Sequence, residues 1–176
     1  MKVLITGRPG VGKTTAVLRL VEHLRARGGG AAGIYTVEIR GERGRLGFKV
    51  VDIARHKEAV FAHVELPRRR RVGRYGVDTE AFEGVALPAL DAALEGDAVV
   101  IVDEVGRMEL FSRGFRDRVE RLFEREGALI ATIPSKPIPF VTRLIERYDP
   151  LVWELTPDDR NEAVERLLQL LDGPRG

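Results

Sequence analysis

The chain has 176 residues, 44% hydrophobic and 32% charged, with a formal net charge of +2. That suits a single globular domain over residues 1–176 and gives no broad positive field for a nucleic-acid backbone. It contains no cysteine, which excludes disulfides and thiolate metal sites, and His23, His56 and His63 lack metal-ligand spacing. No run reaches the about 20 apolar residues of a membrane span and the amino terminus does not read as a secretory signal, so the expected setting is the cytoplasm.

The first predicted strand covers residues 2–6, with Val3, Leu4 and Ile5 as its apolar core. It runs into Gly7-Arg8-Pro9-Gly10-Val11-Gly12-Lys13-Thr14, which satisfies every fixed position of the phosphate-loop (Walker A) pattern G-x-x-x-x-G-K-[ST]. Ala16, Val17, Leu20, Val21 and Leu24 then recur at helical spacing. The glycines let the backbone fold tightly and turn successive N–H groups inward, and the helix that follows adds its unpaired amides and positive dipole end. In such a loop Lys13 reaches the β- and γ-phosphates, the Thr14 hydroxyl holds Mg²⁺ and Thr15 supports the α-phosphate side.

Arg27-Gly28-Gly29-Gly30 ends the helix, and a second strand is expected over 32–40. Gly41-Glu42-Arg43-Gly44 reads as a turn, residues 46–53 as its hairpin partner and 59–64 as a third short strand, so a β-rich insert interrupts a plain βαβ repeat. Residues 67–76 hold five arginines (68, 69, 70, 71 and 74) and Tyr75, readable as a solvated loop, a lid over phosphates or a nucleic-acid contact. A helix follows over 80–94 behind Asp78-Thr79, with Pro88 predicting a kink or a late start. The apolar run Ala98–Val102 ends in Asp103-Glu104, and a strand apolar on both faces belongs in a parallel sheet covered by helices. Helix, strand, helix and strand are then expected over 113–126, 128–133, 140–147 and 151–155. Thr156-Pro157-Asp158-Asp159 predicts the start of the last helix, which stops at Gly173-Pro174. This is an α/β sandwich on a mostly parallel central sheet with a hairpin-rich insert.

Phosphoryl transfer asks a protein to neutralise charge and to place a nucleophile in line. Asp103, at the carboxyl end of an apolar strand, is the Walker B candidate and would hold Mg²⁺ through its water shell. Gln169, the one glutamine, lies on the last predicted helix, so a carboxylate must handle the attacking water: Glu104 first, Glu38 second. Asn161 is the one asparagine, and no N-K-x-D guanine-reading motif can be built on it. Arg107, Arg113 and Arg74 are the candidates for stabilising transition-state charge. Two other functions fit the same loop: a kinase for a nucleotide or small metabolite with the arginine block as its lid, or a nucleotide-regulated nucleic-acid-binding module.

The blocks GRPGVGKTT (7–15), RLGFKVV (45–51), VGRYGVD (72–78), VDEVGRMELFS (102–112), ATIP (131–134) and TPDDR (156–160) together resemble the small nucleoside-triphosphatases first recognised in thermophiles, a family with a human cancer-related relative. The resemblance implies the three-layer phosphate-loop NTPase fold and Mg²⁺-dependent hydrolysis of ATP, GTP and other nucleoside triphosphates to the diphosphate, with little choice of base. It implies that Gly7, Gly10, Gly12, Lys13, Thr14 and Thr15 take the phosphates, Asp103 the metal and Glu104 the water, and that Arg160 lies near the base. Arg107 falls where relatives usually carry Lys, Glu38 follows Val37 where they often carry two glutamates, and Asp159 replaces an asparagine. Nothing in the chain demands more than a monomer.

Overall fold

The computed structural model describes residues 1–172 except 43, 68 and 160. In chain order the elements are β1 (Lys2–Thr6), α1 (Lys13–Ala26), β2 (Ala31–Gly41), β3 (Gly44–Asp52), β4 (Glu58–His63), β5 (Arg71–Val72), β6 (Tyr75–Val77), α2 (Thr79–Glu95) and β7 (Val99–Val102). A 3₁₀ turn (Glu109–Phe111), α3 (Arg113–Glu124), β8 (Leu129–Thr132), α4 (Pro139–Tyr148), β9 (Leu151–Glu154) and α5 (Ala163–Asp172) complete it.

The period-two alternation of the short apolar strands sets the layers. Leu4, Val100, Val102, Leu129 and Ala131 face one side of the sheet and pack against Phe82, Val85 and Leu90 of α2, Phe115 and Val119 of α3 and Val141 and Leu144 of α4. Val3, Ile5, Ile101 and Ile130 face the other and meet Val17 and Leu20 of α1 and Leu167 and Leu168 of α5. Both faces of β1, β7 and β8 are therefore dry, which explains why these strands carry almost no polar residues. Among the described residues no helix is long and apolar enough to cross a membrane.

The strand order is β5-β6-β4-β3-β2-β7-β8-β1-β9. The five strands from β2 to β9 in that order pair in parallel. The insert adds no separate layer: β3, β4, β6 and β5 extend the same sheet by antiparallel pairing. The expected mostly parallel sheet is thus parallel only in the half that runs from β2 to the edge strand β9, because the hairpin grows from the edge that β2 would otherwise expose.

Three local expectations change. Helix α2 starts on time, with Asp78 Oδ1 accepting from the Ala81 amide at 2.9 Å, and it runs through Pro88 without a late start. Pro88 has no N–H to give the Gly84 carbonyl four residues back, and Lys57 Nζ donates to that carbonyl at 3.1 Å instead. The helix expected from Thr156 begins only at Ala163, past a turn at 157–159, even though Asp159 Oδ1 accepts from the Thr156 amide at 2.7 Å as in a helix capping box. The arginine block is not a free loop: β5 and β6 form a small hairpin, Arg70 Nη1 donates to Thr79 Oγ1 at 2.7 Å, and Arg74 Nη2 donates to the Arg45 carbonyl. Arg68 lies outside the described residues.

Gly33 allows β2 to sit where it does. Its φ is +109°, and a Cβ there would stand 2.0 Å from the Ile101 carbonyl oxygen on β7. Gly33→Ala combines a left-handed backbone with a backbone clash and should cost at least about 3 kcal/mol, lowering Tm by roughly 6–12 °C. A thermal melt of the variant that overlays the parent would refute this account of the β2–β7 seam.

Candidate functional site

The carboxyl ends of β1, β2 and β7 open into one cavity of about 650 Å³, bounded by the glycine loop, the first turn of α1 and the β3 side of the insert. Gly7, Gly10 and Gly12 have φ of 144°, 80° and 110°. A Cβ on Gly7 would lie 2.6 Å from the Leu155 carbonyl oxygen, so glycine is needed there for space as well as for conformation. Helix α1 has no side-chain cap and no acid in its first turn, which leaves its leading amides and positive dipole end to the cavity. Lys13 bends back over the loop, with Nζ donating to the Gly7 carbonyl at 3.1 Å.

Asp103 follows β7 and is 1% exposed. Its two oxygens are held from different elements: Thr14 Oγ1 donates to Oδ2 at 2.8 Å, and Thr132 Oγ1, at the end of β8, donates to Oδ1 at 2.5 Å. Burial pushes this carboxyl above its ordinary range, while the two hydroxyls, the Thr36 amide and the Lys13 charge oppose the rise. Burial raises Glu104 as well, Lys13 counteracting and the Asp103 charge adding to the rise. The peptide bond between these two residues is cis.

A third acid joins them. Glu109, in the 3₁₀ turn, is 6% exposed, and burial first and the Glu104 charge second push it up to about 8. Gly106 marks where the acids converge. A Cβ on it would stand 2.7 Å from Glu109 Oε2 and 2.8 Å from Glu104 Oε1, so any side chain there would displace both carboxyl groups.

The residues expected from sequence divide clearly. Gly7, Pro9, Gly10, Gly12, Lys13, Thr14, Thr15, Glu38, Asp103, Glu104 and Arg107 line the cavity. Arg8 and Val11 do not. Arg8 is exposed, and Val11 is buried in the core under α1 with its amide donating to the Arg8 carbonyl at 3.2 Å, so this pair shapes the loop. Arg113 is exposed at the start of α3 and forms no part of the wall, because the 3₁₀ turn and Ser112 carry the chain away from it. Arg160 lies outside the described residues. Glu38 is in the wall but both its oxygens are occupied: Oε2 takes Arg40 Nε at 2.9 Å and Nη2 at 2.6 Å, and Oε1 takes Arg45 Nη2.

Sequence reading gave no role to Arg45, Phe48, Val72, Met108 or Glu109, all of which line the cavity, or to Thr132. Thr132 had a visible signal, as the polar residue in an otherwise apolar strand. Arg45 and Phe48 had none, since their position depends on the β2–β3 register, which pairs Glu38 with Phe48 and Arg40 with Arg45 across a bulge.

Among the described residues no cluster of three or more His, Cys, Asp or Glu could cage a metal by itself. What the cavity offers is a hydroxyl and a carboxylate. Thr14 commits its proton to Asp103, which leaves its oxygen lone pairs free, and two hard oxygen donors with room for phosphate oxygens and water fit Mg²⁺.

A parallel sheet whose carboxyl edge opens onto a glycine loop and a helix amino terminus is the arrangement of phosphate-loop nucleotide-binding proteins. Within that class the chain belongs to the NTPase family, whose model matches residues 2–168. It is 40% identical over 176 residues to the nucleoside-triphosphatase THEP1 of Thermotoga maritima, covering 100% of this chain and 98% of that one. The crystal structure of THEP1 from Aquifex aeolicus superposes with a TM-score of 0.88 at 37% identity, covering 98% of this chain and all of the other. The solution structure of a human cancer-related nucleoside triphosphatase gives 0.82 at 35% identity, with 99% of each chain covered.

Glu109 makes stability depend on pH. Its carboxyl ionises near 4.5 in the unfolded chain and near 8 in the fold, so between those values the native state holds one more proton. Stability therefore falls as pH rises, by about 1.4 kcal/mol per unit from this group. Glu109→Gln should lose markedly less stability than the parent between about pH 5 and about pH 8 in urea denaturation, and identical slopes would show that Glu109 titrates normally.

Proposed function

We propose that this protein hydrolyses nucleoside 5′-triphosphates, ATP and GTP among them, to the diphosphate and phosphate with Mg²⁺ and little choice of base. The observation that carries this reading is the 2.8 Å hydrogen bond from Thr14 to Asp103, which joins the phosphate loop to the acidic end of β7. It puts the loop, the ion-binding oxygens and Glu104 around one cavity. Relatives named as nucleoside-triphosphatases over nearly their full length support the same reaction.

In this reading the loop amides and Lys13 bind the phosphate chain, and Thr14 and Asp103 hold Mg²⁺, which when bound supplies positive charge beside the β- and γ-phosphates. Glu104 takes a proton from the attacking water as its oxygen bonds to the γ-phosphorus and the bond to the β–γ bridging oxygen breaks. Burial lifts the basicity of Glu104 above that of an exposed carboxylate, which suits it to this task. Glu38, spent on two arginines, drops out as the base. Arg107 is exposed on the cavity wall and remains in reach of the substrate, whereas Arg113 is not placed to act. One oxygen of Asp159 is turned back on the Thr156 amide, in the turn that the family resemblance sets near the base, which supports weak discrimination among bases. The working unit of this proposal is a monomer in the cytoplasm, with no membrane or nucleic acid required. Arg70 and Arg74 are tied to Thr79 and to the Arg45 carbonyl, which gives the block a bracing role within the insert.

Purified protein should release phosphate from ATP, GTP, CTP and UTP in the presence of Mg²⁺ with no acceptor added. If phosphate leaves only when a second hydroxylated substrate is supplied, the protein is a kinase. Lys13→Ala should lose both nucleotide affinity and turnover. Glu104→Gln should keep nucleotide bound while kcat falls on the order of 10²- to 10⁴-fold, and near-normal turnover in that variant would remove Glu104 as the base.

A further inference from the structure

Two arginines compete for one carboxylate at the edge of the cavity, and one of them is left half satisfied. Arg40 takes Glu38 Oε2 with both Nε and Nη2. Arg45 reaches only Oε1, through Nη2, and its own Nε is buried with no hydrogen-bond partner among the described residues. The oxygen that would complete a side-on fork to Arg45 is the one Arg40 occupies. A guanidinium in this condition gains by pairing with a second anion.

Its surroundings hold it ready for one. The Arg45 side chain, 37% exposed, lies on the wall of the cavity that contains Lys13, Asp103 and Glu104. Its guanidinium stands 5.3 Å over the Phe48 ring, Phe48 packs edge-on against Tyr75 at 5.4 Å, and the Arg45 carbonyl accepts from Arg74. The main chain is thus held by Arg74 and the guanidinium rests on the Phe48 ring, so that only the single bond to Glu38 Oε1 must give for the head to take a new anion. Glu38 would not be stranded by that movement, because Arg40 continues to neutralise it. Arg107, the other arginine on the wall, is exposed and gains less from a new partner, whereas donors shielded from water act more strongly on developing charge.

We propose that Arg45 binds the terminal phosphoryl group of the substrate, leaving Glu38 for it, and is the residue by which this site tells a nucleoside triphosphate from a diphosphate. Glu38 and Arg40 are then positioning residues that keep Arg45 available. The inference rests on the hydrolase reading above and adds a residue that reads the γ-phosphate from the insert side, opposite the glycine loop.

The test is calorimetric titration of ADP and of the non-hydrolysable analogue AMP-PNP, each with Mg²⁺, into the parent protein, Arg45→Ala, Arg45→Lys and Lys13→Ala, with kcat and KM for ATP alongside. Arg45→Ala should bind AMP-PNP about tenfold or more weakly while ADP affinity changes less than about threefold. Its kcat should fall by about 10²-fold or more. Arg45→Lys keeps charge and stem over Phe48 but cannot form a fork, so it should recover much of the AMP-PNP affinity and little of the kcat. If Arg45→Ala does not fold, the same separation of AMP-PNP affinity from kcat in Arg45→Lys decides. Equal losses for ADP and AMP-PNP, or no loss for either, would overturn the inference. Lys13→Ala separates the two levels: it should weaken both ligands, and failure to do so would bring down the phosphate-loop reading itself rather than the role of Arg45.

Discussion

Asp103 gives up water completely, and the groups that compensate it come from three directions. Thr14 reaches it from the first turn of α1, Thr132 from the end of β8, and the Thr36 amide from β2. A buried carboxylate without those partners would cost several kcal/mol. With them, one side chain locks the phosphate loop, the central strands and the root of the insert into a fixed mutual position.

The same burial makes the cavity electrostatically one-sided. Glu104 and Glu109 crowd toward Gly106 beside the buried Asp103, with Lys13 as the cation that lowers Asp103 and Glu104. Three acids pushed toward their neutral forms are a poor resting arrangement and a good receiving one, since bound cations invert such pKa logic. On the insert side the balance reverses, with Arg45 on the cavity wall sharing Glu38 with Arg40 outside it. A phosphate chain with its magnesium ion is a ligand whose charge alternates in the matching sense.

The insert changes character when seen in this light. As an extension of the sheet it protects the β2 edge, and through the β2–β3 pairing it also brings Arg45, Phe48 and Glu38 to the nucleotide cavity. The arginine hairpin behind it, β5–β6, is bound into the same structure by Arg70 and Arg74. The charge that reads as a surface run along the chain is exposed at the described residues, and two of them also brace the hairpin.

Sequence alone determined the parts whose physics is local. The loop 7–14 carries its pattern in consecutive residues, the strands around Leu4, Val100 and Ile130 declare two-sided burial by being apolar throughout, and Asp103 stands out as the acid that ends one of them. Tertiary structure decided what depends on register and on competition between partners. Arg45 rather than Arg113 lines the cavity because a bulged hairpin sets its pairing, and both oxygens of Glu38 are taken by arginines. The last helix starts at Ala163 rather than at Thr156, although the capping bond from the Thr156 amide to Asp159 that the sequence signals is made. Such outcomes turn on distances between residues far apart or on rival hydrogen bonds of similar strength, and a linear pattern of residue types encodes neither.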